Sequence, residues 1–216
     1  MSLPPARVAA RGRRAARPSG DDRELAILAT AERLLAEKPL SALSVDDLAR
    51  GAGISRPTFY FYFASKDAVL LTLLDRVVAE ADAAFTGGVF DGLQGGTREN
   101  WRAALTAYVD TFRAHRSVAL AAASARPDNR EVRELWARVC EGWVLRATEV
   151  IEAARAQGTA PDGLPARQLA IVLNSMNERV VYGTFSGDGP AIPEDQLVDV
   201  LLDVWLTTIY RTPHPA

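Results

Sequence analysis

The stretch that decides the fold runs from Ile54 to Lys66 and reads ISRPTFYFYFASK. It places five aromatic residues in a row, out of sixteen in the whole chain. A short helix cannot hide five consecutive rings on one face, because successive side chains are turned by about 100° around the axis. Some of these rings must therefore point away from the core, and the surface that they form is a candidate binding site.

A helix-turn-helix pattern surrounds this run. Ser44 begins a capping-box pattern, with an acidic residue three positions later, and this predicts a short helix through Arg50. The stretch GAGI then ends the helix, and Gly51 suits a left-handed C-terminal cap. Ser55 is placed to cap a second short helix, with Pro57 in the first turn, where its missing N–H costs nothing. Two short helices joined by a tight turn form a helix-turn-helix.

Helical geometry divides the aromatic run between the core and the surface. Phe59 and Phe63 lie four residues apart and therefore share the inner face. Tyr60 is turned away from that face, and Phe61 and Tyr62 are left at or near the surface. The other residues predicted on the inner face are Val45, Leu48, Ala49 and Ile54.

The outward side chains of this unit carry groups that suit DNA. Hydroxyl, phenol and cationic groups donate to phosphate oxygens, and Phe61 and the ring of Pro57 suit contact with a thymine methyl. Lys66 also stands at the start of the next helix, where free backbone N–H groups favour an anion. The alternative is that the rings seal the junction between the third and fourth helices, which we expect of Phe59 and Phe63 alone. The predicted DNA-binding residues are Ser55, Arg56, Pro57, Thr58, Tyr60, Phe61, Tyr62 and Lys66.

Positive charge is concentrated in the N-terminal part of the chain. Residues 1–66 hold eleven Lys or Arg and seven Asp or Glu, whereas the whole chain has a formal net charge of −2. This asymmetry indicates an anion-binding end, although chance and an unstructured tail explain it equally well. Residues 1–20 include five arginines with no apolar block after them, so we predict a flexible basic arm rather than a secretory signal.

Helical periodicity extends over nearly the whole chain, and no segment has the pattern of a strand series. An apolar stripe predicts a first helix between Asp21 or Asp22 and Pro39, and Ser65 is placed to cap a long fourth helix. Five of the fifteen glycines fall between residues 87 and 96, which predicts a loop. The chain is therefore predicted to be all-α with about nine helices. The later helices are predicted at roughly 98–114, 116–125, 129–157, 165–184 and 194–210.

The helix-turn-helix segment resembles the DNA-binding domain of the TetR family of transcriptional regulators. The similarity covers residues 24–70, and it is carried by Val45–Ala49 (VDDLA) and Gly53–Asp67 (GISRPTFYFYFASKD). It implies that Ser55–Phe61 forms a recognition helix in the major groove. The residues implied to hold the phosphate backbone are Tyr60, Tyr62 and Lys66.

The second half of the chain has the composition of a ligand pocket or of an ordinary helical core. All four tryptophans lie beyond residue 100, and aromatic residues recur there at spacings of four and seven, which place them on one helix face. A cavity lined by aromatics and a few amides suits a ligand, but spacing alone favours a filled core. The sets that share a face are Trp101, Tyr108 and Phe112; Trp136, Cys140 and Trp143; and Asn174 and Asn177.

The resemblance extends from Gly12 over almost the whole chain and implies a DNA-binding domain at 21–67 and a ligand-binding and dimerisation domain at 68–212. The second domain is implied to hold a long, narrow, mostly apolar channel for an elongated amphiphilic ligand. Cys140 and Arg146 depart from the related pattern, which has methionine and tyrosine there. An arginine beside such a channel adds charge or snorkels out at its mouth, and it raises the hypothesis of an anionic head group. The implied lining residues are Trp101, Tyr108, Phe112, Trp136, Cys140, Trp143, Arg146, Asn174, Asn177, Tyr182 and Trp205.

The last predicted helix is apolar nearly all round, with ten apolar residues between Leu197 and Tyr210. Such a helix needs burial on two sides, and a partner chain is the natural second side. The resemblance agrees, because it implies a homodimer through the last two helices that reads a palindromic operator with half-sites ~34–36 Å, or a multiple of that, apart. It further implies a repressor that its ligand releases by tilting the fourth helix, and a neighbouring monooxygenase gene as the target.

An enzyme is the first alternative, and the sequence offers little for catalysis. The chain has two histidines, His115 and His214, and it lacks the Gly-x-Ser-x-Gly, His-Glu-x-x-His and Gly-x-x-x-x-Gly-Lys motifs. His115 is predicted to be a helix-end residue rather than a base. We therefore predict no catalytic residue, no metal site and no cofactor.

A second alternative is an α-helical protein that sequesters small molecules without binding DNA. The basic arm and the outward Arg56, Tyr60 and Lys66 argue against it. The single cysteine, Cys140, excludes an intrachain disulfide and favours a reducing compartment. No apolar run reaches the ~18 residues needed to span a membrane, so we predict a cytoplasmic protein without a membrane partner.

Overall fold

The computed structural model describes residues 20–86 and 97–212, so the predicted basic arm, apart from its last residue, and the predicted glycine-rich loop lie outside the described residues. Within the described ranges the fold is all-α, as predicted, with nine α-helices and one 3₁₀ turn at Leu40–Ala42. The helices are α1 (Gly20–Leu35), α2 (Val45–Gly51), α3 (Arg56–Tyr62), α4 (Lys66–Thr86), α5 (Arg98–Ala114), α6 (Arg116–Ala125), α7 (Arg130–Ala156), α8 (Ala166–Ser186) and α9 (Leu197–Tyr210).

Serine side chains cap the N-termini of α2, α3 and α4 at the positions that the sequence predicts. The Ser44 hydroxyl accepts from the backbone N–H of Asp47, and the Asp47 carboxylate accepts from the backbone N–H of Ser44, both at 3.1 Å. Ser55 caps α3 by accepting from the backbone N–H of Thr58 at 3.3 Å, and Ser65 accepts from that of Ala68 at 3.1 Å. These caps satisfy N–H groups that have no partner within the helix, so they set where α2, α3 and α4 begin.

The turn between α2 and α3 corrects one prediction. Gly51 is the last residue of α2, and Gly53, with a φ of 67°, has the left-handed conformation instead. Gly51 is required for a different reason, since a Cβ there would lie 2.3 Å from the Cγ2 atom of Thr30 in α1. The glycine therefore permits close packing of α2 against α1, which a turn pattern in the sequence does not reveal.

Helix α4 connects the helix-turn-helix to the larger C-terminal bundle. It packs against α1 and also against α5, α6 and α7, while α8 packs against α7 and α9. One hydrophobic cluster runs from Ile27 in α1 through Leu70 and Val77 in α4 to Trp205 in α9. A displacement of α4 would disturb this continuous packing on both sides, because close-packed interiors transmit strain. Among the described residues, no helix combines the length and apolar character that a membrane crossing requires.

Candidate functional site

The aromatic run divides between core and surface as predicted. Phe59 is fully buried and Phe63 is buried beside it, with 6.1 Å between the ring centroids. Tyr60 is 47% exposed and Phe61 is 83% exposed, while Tyr62 is half-buried. An apolar ring as exposed as Phe61 gains little from the fold of its own chain. The end of α3 therefore presents an aromatic surface beside the buried pair.

The polar groups of α3 are held in a defined arrangement. Arg56 pairs with Asp46 of α2 at 3.0 Å, and its other terminal nitrogen lies 3.4 Å from the Tyr60 hydroxyl. Its guanidinium carbon also lies 5.8 Å from the centroid of the Tyr60 ring. The Ser55 hydroxyl is 2.8 Å from that of Thr58, so these two groups support the start of α3, with Pro57 between them in the first turn. The exposed face thus carries one oriented cation and one phenol.

Lys66 has a structural position that the sequence does not predict. Its ammonium donates to the backbone carbonyls of Leu40, Ser41 and Leu43, at 2.7, 3.2 and 2.9 Å. An ammonium has three donors, so this geometry occupies all of them and leaves none for a phosphate oxygen. The carbonyl partners lie 23 to 26 residues earlier in the chain. Spacing could not have indicated them, because backbone carbonyls are present at every position. The side chain of Lys66 therefore connects the start of α4 to the turn before α2 through hydrogen bonds.

Most of the predicted ligand residues lie around two small cavities of about 40 Å³ each, the first between α5, α7, α8 and α9 and the second between α5, α6, α7 and α8. Of the predicted residues, some line the first cavity and others line the second. Tyr108 lines both cavities, and Cys140 lines neither. The predicted residues on the first cavity are Trp101, Tyr108, Trp143, Arg146, Asn174, Asn177 and Trp205. Those on the second cavity are Tyr108, Phe112, Trp136 and Tyr182.

Edge-to-face rings fill the space between the two cavities. The Trp143 ring lies 5.5 Å from Tyr108, 6.0 Å from Phe112 and 5.7 Å from Trp136, each at nearly a right angle. Such contacts stabilise a core by about 0.5–1.5 kcal/mol each beyond the burial of area. Tyr108 lines both cavities, so the cluster formed by Tyr108 and Trp143 lies where the two cavities come closest.

Two buried hydrogen bonds orient tryptophan rings that line the first cavity. Trp205 donates to the side-chain oxygen of Asn177 at 2.9 Å, and Trp101 donates to the Tyr210 hydroxyl at 3.1 Å. Half-buried Asn174 donates to the carbonyl of Ala170 at 2.8 Å. These bonds satisfy polar atoms that would be costly to bury alone.

Burial also sets the protonation of the neighbouring groups. It raises the pKa of Tyr108 well above its ordinary value, with a smaller contribution from the charge of Glu178. It raises the pKa of Cys140 to about 11, again with help from Glu178. Both groups are therefore neutral at physiological pH, and a neutral thiol is a poor nucleophile. Within residues 20–86 and 97–212, no group of three or more His, Cys, Asp or Glu is placed to hold a metal ion.

Arg146 connects the first cavity to α4. Its terminal nitrogen pairs with the Asp82 carboxylate at 2.7 Å, and Trp143 donates to the same oxygen at 3.3 Å. The charge that the sequence suggested for a ligand head group is thus balanced by a carboxylate of the connecting helix. The sequence also missed two charged residues on the second cavity, Arg126 and Glu178. Apolar periodicity selects only apolar residues and therefore gave no signal for them.

Comparison with known proteins agrees with this architecture. Residues 27–73 match the family model of the bacterial regulatory proteins of the tetR family, and residues 101–211 match that of the C-terminal domain of the transcriptional regulator EthR. The chain belongs to the TetR family of DNA-binding transcriptional regulators. Both matched families consist of regulators and not of enzymes.

Among curated relatives, the chain is similar to the HTH-type transcriptional regulator EthR of Mycobacterium tuberculosis H37Rv. The two are 53% identical over 201 residues, which is 93% of each chain. Identity to EthR of Mycolicibacterium smegmatis is 44% over 202 residues, or 94% of this chain and 93% of that one.

Two solved structures show the same fold at low sequence identity. A TetR transcription regulator from Haloarcula marismortui gives a TM-score of 0.70 at 14% identity, covering 89% of this chain and 98% of its own. A transcriptional regulator from Saccharomonospora viridis, in complex with choline, gives 0.68 at 23% identity, covering 87% and 96%.

Proposed function

We propose that this protein is an EthR-like repressor that binds a palindromic operator as a dimer and is released by a long apolar or amphiphilic molecule. The observation that carries the proposal is the pair of aromatic cavities whose wall contacts α4. Trp143 and Arg146 both line the first cavity and both bind Asp82 of α4. A ligand that separates these rings therefore acts directly on the helix that continues from the helix-turn-helix.

The DNA-contacting surface is the exposed face of α3 and the turn before it. Tyr60 and Arg56 are placed to donate to phosphate oxygens, and the exposed Phe61 ring suits a thymine methyl or a sugar. Tyr62 lies half-buried behind this face and completes the phosphate-facing end of the helix. Ser55, Pro57 and Thr58 set the start of the recognition helix, and the role of Lys66 in this scheme is to hold the turn before α2 in place.

A homodimer through α8 and α9 accounts for the apolar side chains on the outside of these helices. Ile171 and Val172 of α8 are exposed, the latter by 63%, and Val200 and Val204 of α9 are 38% exposed. A group of aliphatic side chains at helical spacing suits a second copy of the same helices. The resulting two-fold axis places two α3 helices on one face of DNA, as a palindrome requires.

Release follows if the ligand fits only the conformation that does not match the operator. Filling the aromatic cavities moves α7 relative to α8, and the shared Asp82 oxygen transfers that motion to α4. The distance between the two recognition helices then changes. A ligand that prefers this state by about 10⁴-fold, or about 5.5 kcal/mol, converts an almost fully bound population into an almost fully free one. The similarity to EthR extends the proposal to a neighbouring monooxygenase-type gene as the target.

The test is quantitative binding of the purified protein to the DNA beside its own gene, with and without a long-chain alkyl ligand and at several salt concentrations. We expect tight, salt-sensitive binding that the ligand abolishes. Tyr60→Phe should weaken DNA binding and leave ligand binding unchanged. Tyr108→Phe is the matched control, which should weaken ligand binding and leave DNA binding unchanged. Absence of specific DNA binding at any salt would favour a ligand-sequestering protein, and equal loss of both activities in Tyr60→Phe would contradict separate surfaces.

A further inference from the structure

The second cavity ends at a surface cleft that the function described above does not use. This cleft has a volume of about 360 Å³ and lies between the end of α6 and the middle of α8. The buried cavity and the cleft share four lining residues, Ala123, Arg126, Glu178 and Tyr182. These side chains therefore form the wall between the apolar interior and solvent. The contacts of Arg126 with Glu178 and of Arg179 with Tyr182 are between side chains, so a change of side-chain conformation could open this wall without moving the backbone.

A salt bridge closes this wall. Arg126, directly after α6, pairs with Glu178 of α8, with side-chain exposures of 28% and 31%. The guanidinium carbon of Arg126 also lies 5.2 Å from the centroid of the Trp136 ring, which lines the inner cavity. The same arginine thus touches the solvent side and the aromatic side of the wall. A partly exposed ion pair of this kind stabilises the fold by only about 0–1 kcal/mol, so a ligand can replace it.

The charges around the cleft do not balance. Arg179 is exposed on the cleft, stacks on Tyr182 with its guanidinium carbon 5.9 Å from the ring centroid, and has no salt bridge among the described residues. Two guanidinium groups therefore face one carboxylate, that of Glu178. At the other cavity the single cation, Arg146, is matched by Asp82. Arg126 and Glu178 balance each other on the second cavity, whereas at the cleft the additional Arg179 leaves a net positive charge.

A buried donor lies just inside this wall. The indole nitrogen of Trp136 is buried and lacks a hydrogen-bond partner within the described parts of the chain. An unsatisfied buried donor costs about 1–3 kcal/mol, so an acceptor that reaches it is favoured. An oxygen atom at the start of an alkyl chain fits this position, because the rest of the cavity lining beyond Trp136 is mainly apolar and aromatic.

We propose that the cleft is the head-group site for an anionic amphiphile, specifically a long-chain carboxylate whose tail passes Trp136 into the aromatic cavities. The inference rests on the proposed function, and it names the ligand class and the end at which the ligand enters. The carboxylate binds Arg126 and Arg179, and Glu178 leaves the pair with Arg126. Charge-assisted bonds between guanidinium and carboxylate are the strongest ordinary hydrogen bonds. In the absence of ligand the carboxylate of Glu178 pairs with Arg126, so the head-group site becomes available only when the carboxylate of the ligand replaces that of Glu178.

The experiment measures the affinity of the full-length protein for decanoate and for methyl decanoate by tryptophan fluorescence, since Trp136 lies at the wall. We expect decanoate to bind about tenfold more tightly than the ester, with a ratio that falls as salt increases. Arg179→Gln should bring the ratio close to one without changing the affinity for the ester. Glu178→Gln should act in the opposite direction and raise the ratio, because it removes the competing anion.

Arg167→Gln is the matched control, because it removes an exposed α8 arginine that is paired with Glu141 away from the cleft. An acid-to-ester ratio that is the same in parent, Arg179→Gln and Arg167→Gln would overturn the head-group site while leaving the pocket intact. Failure of both compounds to bind the parent would instead reject the ligand pocket of the proposed function, and the head-group site with it. Circular dichroism of each variant separates a lost site from a lost fold.

Discussion

Arg146 of α7 and Asp82 of α4 form an ion pair, with their nearest nitrogen and oxygen atoms 2.7 Å apart. The pair joins a residue that lines the first cavity to α4, the helix that begins four residues after the end of α3. Trp143 donates to the same carboxylate oxygen, so one acceptor receives two groups from the cavity wall. The carboxylate of Asp82 therefore links the cavity wall to α4, which follows α3 in the chain.

Arg146→Gln should weaken the coupling between ligand and DNA more than it weakens the fold. The side chains are 25% and 43% exposed, so loss of the pair should lower the free energy of unfolding by about 1 kcal/mol or less. The factor by which a long-chain ligand raises the Kd for operator DNA should fall by several-fold. Arg167→Gln, which breaks an exposed pair between α7 and α8, is the control. An unchanged ligand effect in Arg146→Gln would show that coupling takes another route.

Asn177→Ala should destabilise the bundle by about 1–3 kcal/mol, because it leaves the indole N–H of Trp205 buried without an acceptor. Both residues are at most 5% exposed, so water does not readily take the place of the amide. Urea denaturation followed by circular dichroism measures the change. Asn174→Ala, at a half-buried position one turn earlier, should cost less. Equal losses in the two variants would contradict a specific role for the Asn177–Trp205 bond.

Gly51→Ala should destabilise the helix-turn-helix by about 1–3 kcal/mol through overpacking against Thr30. Thr30→Ser removes the Cγ2 atom that lies 2.3 Å from the new Cβ, so the double variant should recover most of the loss. Gly142→Ala in α7 is the matched control. Its nearest neighbour is the end of the Arg146 side chain at 3.8 Å, and replacement of a helical glycine there should gain up to about 1 kcal/mol. Thermal or urea unfolding of the four proteins decides the point, and a double variant no better than Gly51→Ala would refute the proposed clash.

Stability should fall as pH rises through the titration of His115. This residue lies between α5 and α6, as the sequence predicted for a helix end, and its two ring nitrogens face Glu32 of α1 at 2.5 Å and Glu80 of α4 at 3.1 Å. Partial burial by itself lowers the pKa of His115, but the hydrogen bonds and charges of the two glutamates outweigh it and raise the pKa above the ordinary 6.5. The protonated ring is therefore favoured in the folded state. Its stabilising effect is complete below pH 6.5 and is lost as the pH rises through the raised pKa.

His115→Gln provides the test, because glutamine keeps a hydrogen-bonding side chain and removes the charge. The free energy of unfolding of the parent should decrease as the pH rises above 6.5 and through the raised pKa of His115, and that of the variant should change less. The second histidine, His214, is present in both proteins and cancels in the comparison. Identical pH profiles would show that His115 contributes no titrating link between α1 and α4.

The sequence determined what depends on neighbouring residues. Serine caps, apolar spacing and glycine or proline breaks act within one or two helical turns. The ends of the helices could therefore be predicted to within a few residues. The division of the aromatic run into buried Phe59 and exposed Phe61 follows from helix geometry alone. Spacings of four and seven also predicted which large rings share a helix face, whereas the resemblance to the TetR family, and not the spacing, implied that these faces line a cavity.

Only the tertiary structure decided which polar groups meet. Lys66 binds carbonyls more than twenty residues away, and Arg146 of α7 pairs with Asp82 of α4. Close packing against Thr30, rather than the conformation of its turn, requires a glycine at position 51. None of these partners lies within a helical turn in the sequence. Their chemistry is too common on protein surfaces for the residue types to identify them. Long charged side chains acquire their roles from the helices that packing brings beside them, and hydrophobic burial, which drives that packing, is not directional.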